Sequence, residues 1–170
     1  VYTTYVTSDN EDTADFQASL EKKNLEMTIV SNTDFSLGGA SFAINGAKGG
    51  YDTKKDNNSS LITMVTYGTK KYLFMGDAQD ERIEEYLGEH DANADFLKVP
   101  YHGYMQDDLE LLFQTVTPKT SVITNSSDNP SASQIKKTEK LLKAAGSSIY
   151  EAAKGDITVV CTETGFTVSQ

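Results

Sequence analysis

Among its 170 residues this chain has one cysteine, no tryptophan, three prolines and two histidines. A single cysteine excludes an internal disulfide framework and any cysteine-rich zinc site. Cys161 falls in the apolar run Ile157–Cys161 and reads as a buried small hydrophobe rather than a reactive thiol. Positive charge is also scarce: 15 Lys and Arg stand against 25 Asp and Glu, for a net charge of -10. Such a surface repels phosphate backbones and argues against autonomous nucleic-acid binding, although a metal could reverse the field inside a small pocket. No apolar run approaches the roughly 20 residues that span a bilayer, and no signal peptide is visible. A Gly-rich phosphate loop, a Gly-x-Ser-x-Gly elbow and a paired-histidine helix motif are all absent. The chain opens abruptly in a strand-like run, and further sequence is expected upstream of Val1.

What is present suffices for one domain with a sizeable core, at 38% hydrophobic residues. Val1–Val6 alternates like a strand, and Asp12 or Thr13 caps a helix running to about Lys23. Glu26–Val30 reads as a strand, and Phe35–Leu37 with Ser41–Ile44 as a hairpin across Gly38-Gly39. Asn45–Ser60 is polar and Gly-rich, a mobile surface loop by composition. Leu61–Tyr67 and Lys71–Met75 form a hairpin around Gly68-Thr69-Lys70. Beyond it, helices are expected at Gln79–Leu87, from Asp107 or Asp108 to Phe113, and at Ser131–Ala145. Strands are expected at Phe96–Val99, Ser121–Thr124, Ser148–Glu151, Asp156–Thr162 and Gly165–Val168. Hairpins interleaved with helices predict an α/β (α+β) domain, a mixed sheet covered by helices.

Two ligand-type residues follow directly on buried strands, where functional side chains collect in α/β architectures. Asp77 follows Tyr72-Leu73-Phe74-Met75-Gly76. A carboxylate there is partly desolvated and needs a cation or several donors; equally, it could cap the following helix. His102 follows Phe96-Leu97-Lys98-Val99-Pro100-Tyr101. Imidazole is the commonest metal ligand, but a lone histidine is more often a satisfied core or surface residue. His90 sits in a polar turn and reads as solvent-exposed. Ser59 and Ser60 are weaker candidates for hydroxyls near a cleft. The lysines Lys136, Lys137, Lys140 and Lys143 read as a solvated helix face.

Taken together, Asn57-Asn58-Ser59-Ser60-Leu61, Tyr72-Leu73-Phe74-Met75-Gly76-Asp77-Ala78 and Ala94-Asp95-Phe96-Leu97-Lys98-Val99-Pro100-Tyr101-His102-Gly103 resemble, in order and spacing, the C-terminal half of metallo-β-lactamase-fold domains. The resemblance is to the ComEC type, found in competence proteins and stand-alone relatives. It extends to Val1–Val30, to Val116–Ile123, to the helix end Ala144-Ala145-Gly146 and to Ile149-Tyr150. It implies half of an αββα sandwich, with two metal ions, often zinc, between the sheets of the complete domain. Asp77 would bridge the metals and His102 would ligate one of them, and these two would carry the catalysis. Relatives commonly show two adjacent histidines before the Gly; the first is Tyr101 here, so the ligand is either His102 or lost at Tyr101. Tyr101 and Tyr104 are the candidate substrate contacts.

The family's upstream His-x-His-x-Asp-His cluster has no counterpart in the chain. Zinc takes about three or four protein ligands, so the chain alone is expected to bind zinc weakly and to be inactive. The resemblance therefore implies part of a metal-dependent hydrolase of phosphoester or related ester bonds, acting through a metal-bound hydroxide. The alternative is a non-catalytic binding or scaffold module that keeps the fold without the metal. A phosphoacceptor domain using Asp77 ranks below both, because no acidic pair and lysine can be placed around it. A half-sandwich exposes an apolar sheet face, so the expected partner is the missing N-terminal half or a second copy of the chain. Nucleic acid as a partner, and a secreted or membrane-associated bacterial setting, rest on family analogy.

Overall fold

The computed structural model describes residues 1–4, 11–49, 51, 56–128 and 132–170. In chain order its elements are β1 (Tyr2–Thr3), α1 (Glu11–Lys22), β2 (Thr28–Ile29), β3 (Asn32–Leu37), β4 (Ala40–Asn45), β5 (Ile62–Tyr67), β6 (Lys70–Phe74), α2 (Asp80–Glu89), β7 (Phe96–Lys98), α3 (Leu109–Val116), β8 (Thr120–Ile123), α4 (Ala132–Ala144), β9 (Ser148–Glu151), β10 (Thr158–Cys161) and β11 (Phe166–Ser169). Short 3-10 turns at Asp56–Ser59, Pro100–Gly103 and Ala152–Lys154 complete it.

Strands β3 to β9 form one seven-stranded sheet in sequence order. The first four pair antiparallel and the last four, from β6 onward, pair parallel. The switch follows from the connections. A two-residue turn, Gly68-Thr69, can only reverse the chain, whereas the segments carrying α2, α3 and α4 are long enough for crossovers. The fold is thus a mixed α/β domain, as the alternation of elements predicts.

Strand periodicity assigns the two faces. Leu73, Leu97 and Ile123 point to the helices and join Ile83, Leu112, Phe113, Ile135 and Leu142 in the main core. Tyr72, Phe96 and Val122 point to the opposite face. There the β10–β11 hairpin covers them with Ile157, Val159 and Phe166. The hairpin is fastened at its tip, where Thr69 donates its N–H to Glu163 O at 3.0 Å. Gly68 is required at this junction: φ is +57°, and a Cβ would lie 1.8 Å from Glu163 O.

Several expectations are corrected. Cys161 is exposed, because it lies in a two-stranded hairpin outside the main sheet. His90 is half-buried rather than solvated: its ring stacks on Tyr86 at 4.9 Å, at the C-terminal end of α2. The expected strand Glu26–Val30 shrinks to Thr28–Ile29, paired only with β1. Residues 5 and 6 of the expected first strand and Ser131 of the expected last helix lie outside the described residues.

The stretch Asn45–Ser60 is not a free loop where it is described. Asn45 and Asn58 are buried, and both ends are tied to α2 by Arg82, itself fully buried. Its guanidinium donates from Nε to Ser60 O at 3.1 Å and from Nη2 to Asn45 O at 2.9 Å. Composition marks such a stretch as surface loop; an arginine on a later helix decides otherwise.

Candidate functional site

Strands β6, β7 and β8 run parallel, so their C-terminal ends lie side by side. Asp77 follows β6, Tyr101 and His102 follow β7, and Thr124 follows β8. The two residues singled out in the sequence therefore meet. His102 Nε2 lies 3.3 Å from Asp77 Oδ2. Both side chains are partly open to solvent, at 45% and 36% exposure.

The imidazole is oriented from behind. His102 Nδ1 lies 2.8 Å from the backbone carbonyl of Thr124, with Thr124 Oγ1 at 3.3 Å. A carbonyl oxygen only accepts, so Nδ1 carries a proton and donates it. Nε2 then faces the carboxylate either as the second N–H of an imidazolium or as a lone pair. A lone pair aimed at a carboxylate is favourable only with a cation between them. An imidazole held by a carbonyl at one nitrogen and free at the other is also the usual posture of a metal-ligating histidine.

Local backbone strain places these groups. Tyr101, His102 and Gly103 have φ of 46°, 53° and 79°, three consecutive residues in the left-handed region. Non-glycine residues there cost about 1–3 kcal/mol each and collect at functional sites. Pro100 starts the turn, and Gly103 is needed where a Cβ would meet Ile123 Cγ2 at 2.8 Å. On the facing turn Gly76 has φ +56°, and its carbonyl accepts from Tyr101 N–H at 3.3 Å.

Asp77 does not cap α2. The residue before that helix is Gln79, and its N–H is taken at 3.2 Å by Asn58 Oδ1. Asn58 also donates to Glu81, and Ser60 Oγ accepts the Asp77 N–H at 3.1 Å. The Asn58–Ser60 segment thus supports the site from beneath. The Asp77 carboxylate turns instead toward His102 and Lys98.

One site residue escaped the sequence reading. Lys98 Nζ donates to Gly76 O at 2.7 Å and lies 3.5 Å from Asp77 Oδ1. Its side chain is only 17% exposed. Burial pushes its ammonium below the usual lysine value, and the Asp77 charge opposes that push. The signal available was a lysine between Leu97 and Val99 in an otherwise apolar strand. Tyr101 and Tyr104, which flank His102 in the turn, have ring centroids 5.1 Å apart.

The donors fit a metal in part. Two ligand atoms on one tetrahedral zinc sit roughly 3.4 Å apart, close to the 3.3 Å between Oδ2 and Nε2. Among the described residues, however, no group of three or more His, Cys, Asp or Glu is placed to hold an ion. The arrangement supplies two corners of a site.

Fold and site define the chain as an α/β domain with an acid–imidazole pair at the ends of its parallel strands. No family model matches the chain. It is similar to ComE operon protein 3 of Bacillus subtilis (strain 168), with 32% identity over 79 residues. That match covers 46% of this chain and 10% of the relative, so the chain spans about a tenth of the length of the curated protein it matches. Among the described residues no helix is long and apolar enough to cross a membrane.

Proposed function

We propose that this chain is part of a metal-dependent hydrolase of the metallo-β-lactamase type, acting on phosphoester or related ester bonds. The observation that carries the reading is the Asp77 Oδ2–His102 Nε2 approach of 3.3 Å, with the ring fixed by Thr124 O. Zinc is the ion that suits a carboxylate and imidazole donor set. Such an ion polarises the substrate oxygen and acidifies a bound water. Asp77 and His102 would hold it. The half-open position of both side chains lets a substrate reach them, with Tyr101 and Tyr104 at the rim. The partial match to a competence-operon protein agrees in context.

The remaining ligands would come from a partner half of the domain or a second copy of the chain. The second face of the sheet supports this. Between the sheet and the β10–β11 hairpin it carries an apolar groove of about 610 Å³, lined by Phe42, Val65, Tyr72 and Phe74 of the sheet and by Val159 and Cys161 of the hairpin. Phe74 is 40% exposed at its edge.

The test is zinc content and phosphodiesterase activity of the longest available form of the protein and of its Asp77→Ala variant. Loss of metal and activity together supports the reading; unchanged metal content removes Asp77 from the site. A non-catalytic binding module is the second reading. It is favoured by Lys98, which already gives Asp77 a cation without any metal.

A further inference from the structure

Strands β10 and β11 stand apart from the seven-stranded sheet as a sheet of two. β10 borders the apolar groove with Ile157, Val159 and Cys161, whereas none of the described lining residues comes from β11. One side of β10 therefore meets β11 and the other meets the groove. The ladder shows which backbone groups are spare. Thr162 donates its N–H to Gly165 O at 2.8 Å and closes the hairpin, and the register sets Val160 against Thr167 and Thr158 against Ser169. Opposed residues in an antiparallel ladder alternate between bonded and unbonded pairs. Thr158 and Val160 thus bond to β11, and Val159 and Cys161 turn their N–H and C=O groups toward the groove side. Among the described residues nothing outside the hairpin bonds to their backbone. This edge also lacks the usual guards, since Thr158-Val159-Val160-Cys161 has no charge and no proline. The end strands of the large sheet, β3 and β9, each carry a carboxylate, Asp34 and Glu151.

We propose that the free edge of β10 is a docking site for one extended strand of a partner protein, which pairs with the backbone of Val159 and Cys161 and lowers an apolar side chain at every second position onto Phe42, Val65 and Phe74. A strand added there lies about 4.8 Å from β10, over the groove. One face of it meets apolar side chains and the other meets water, which dictates the alternation. The chain has a net charge of -10, so the strand that suits it carries basic flanks. The inference rests on the reading above only for the existence of an occupant. It uses neither metal nor activity, so either can fail without the other.

The probe is a capped peptide, Lys-Lys-Val-Thr-Val-Thr-Val-Lys-Lys, added to the chain while amide hydrogen exchange is followed. Exchange at Val159 and Cys161 slows tenfold or more, while Thr158 and Val160, already bonded to β11, change little. Of two peptides methylated at the valine or at the threonine nitrogens, one loses binding and the other keeps it, because only one edge of the strand faces β10. A peptide of the same composition with its valines contiguous binds at least tenfold more weakly. Val159→Pro removes an outward donor and leaves the bonds to β11 in place; it weakens binding to the same degree. The methylated peptides decide the matter if that variant does not fold. If the Val159 and Cys161 amides keep their rates at saturating peptide, or if both methylated peptides bind alike, the inference is overturned. If those amides are protected without peptide, and more so as the chain is concentrated, a second copy holds the edge and the partner strand is overturned.

Discussion

Arg82 and Asn45, 37 residues apart in the chain, are joined through a fully buried guanidinium whose Nη2 donates to both the backbone and the side-chain oxygen of the asparagine. The same guanidinium pairs with Glu85 and reaches Ser60 O, and Ser60 in turn receives the Asp77 N–H. Through Ser60, this helix residue is tied to the turn that carries Asp77.

Replacing Arg82 by methionine keeps the volume and removes every donor. Asn45 O and Ser60 O then lose a donor in a buried place, and the Glu85 carboxylate keeps, among the described residues, only the Tyr51 hydroxyl and the Lys48 N–H. The expected loss is roughly 3–5 kcal/mol of stability, read as a lower urea midpoint. A change within 1 kcal/mol would mean the network carries little.

Gly103 and Gly146 make a matched pair. Both have φ near 80°, but a Cβ on Gly103 meets Ile123 Cγ2 at 2.8 Å and one on Gly146 meets nothing within 4 Å. Gly146→Ala should cost about 1 kcal/mol, for the backbone alone. Gly103→Ala should cost about 1–3 kcal/mol more, from overpacking against Ile123. Equal losses in chemical denaturation would show that the Gly103 turn yields freely.

Asp95 predicts an acid-sensitive anchor. Burial alone would raise its carboxyl. Lys70 at 3.0 Å, the Lys71 N–H at 3.3 Å and Lys119 at 3.2 Å outweigh that, and its pKa sits below the usual aspartate value. A carboxyl lowered by folding contributes stability above its unfolded pKa and loses it as pH falls through the folded value. The contribution should be complete at neutral pH and drain away below about pH 4. Urea midpoints of wild type and Asp95→Asn, taken from pH 7 to pH 2.5, should differ most at pH 7 and converge in acid. Parallel curves would exclude Asp95 as a source of the slope.

The open part of the second sheet face should make the isolated chain self-associate. Leu37 is 70% exposed and Phe74 40%, and Phe35 stacks on Phe42 at 4.8 Å on the same face. Light scattering should show concentration-dependent association, with binding of a hydrophobic dye. Phe74→Asp combined with Leu37→Asp should reduce both. A dye-negative monomer at high concentration would contradict an uncovered face.

The sequence alone determined most of the elements. The apolar runs Leu61–Tyr67 and Lys71–Met75 around Gly68-Thr69-Lys70 show a hairpin because strand propensity and turn chemistry are local. The apolar spacing of Ile83 and Tyr86 shows a helix for the same reason. It also marked Asp77 and His102, since a polar ligand-type residue directly after a buried strand is visible in one dimension. Tertiary structure decided what those residues face. That Asn58 takes the Gln79 N–H ahead of α2, that Thr124 O turns the imidazole, and that Lys98 takes one carboxylate oxygen all depend on elements set side by side in space. Their register is fixed by contacts between residues 17 to 24 positions apart. Hydrogen bonds and ion pairs act over about 3 Å in space, and no periodicity along the chain records which distant groups will come that close.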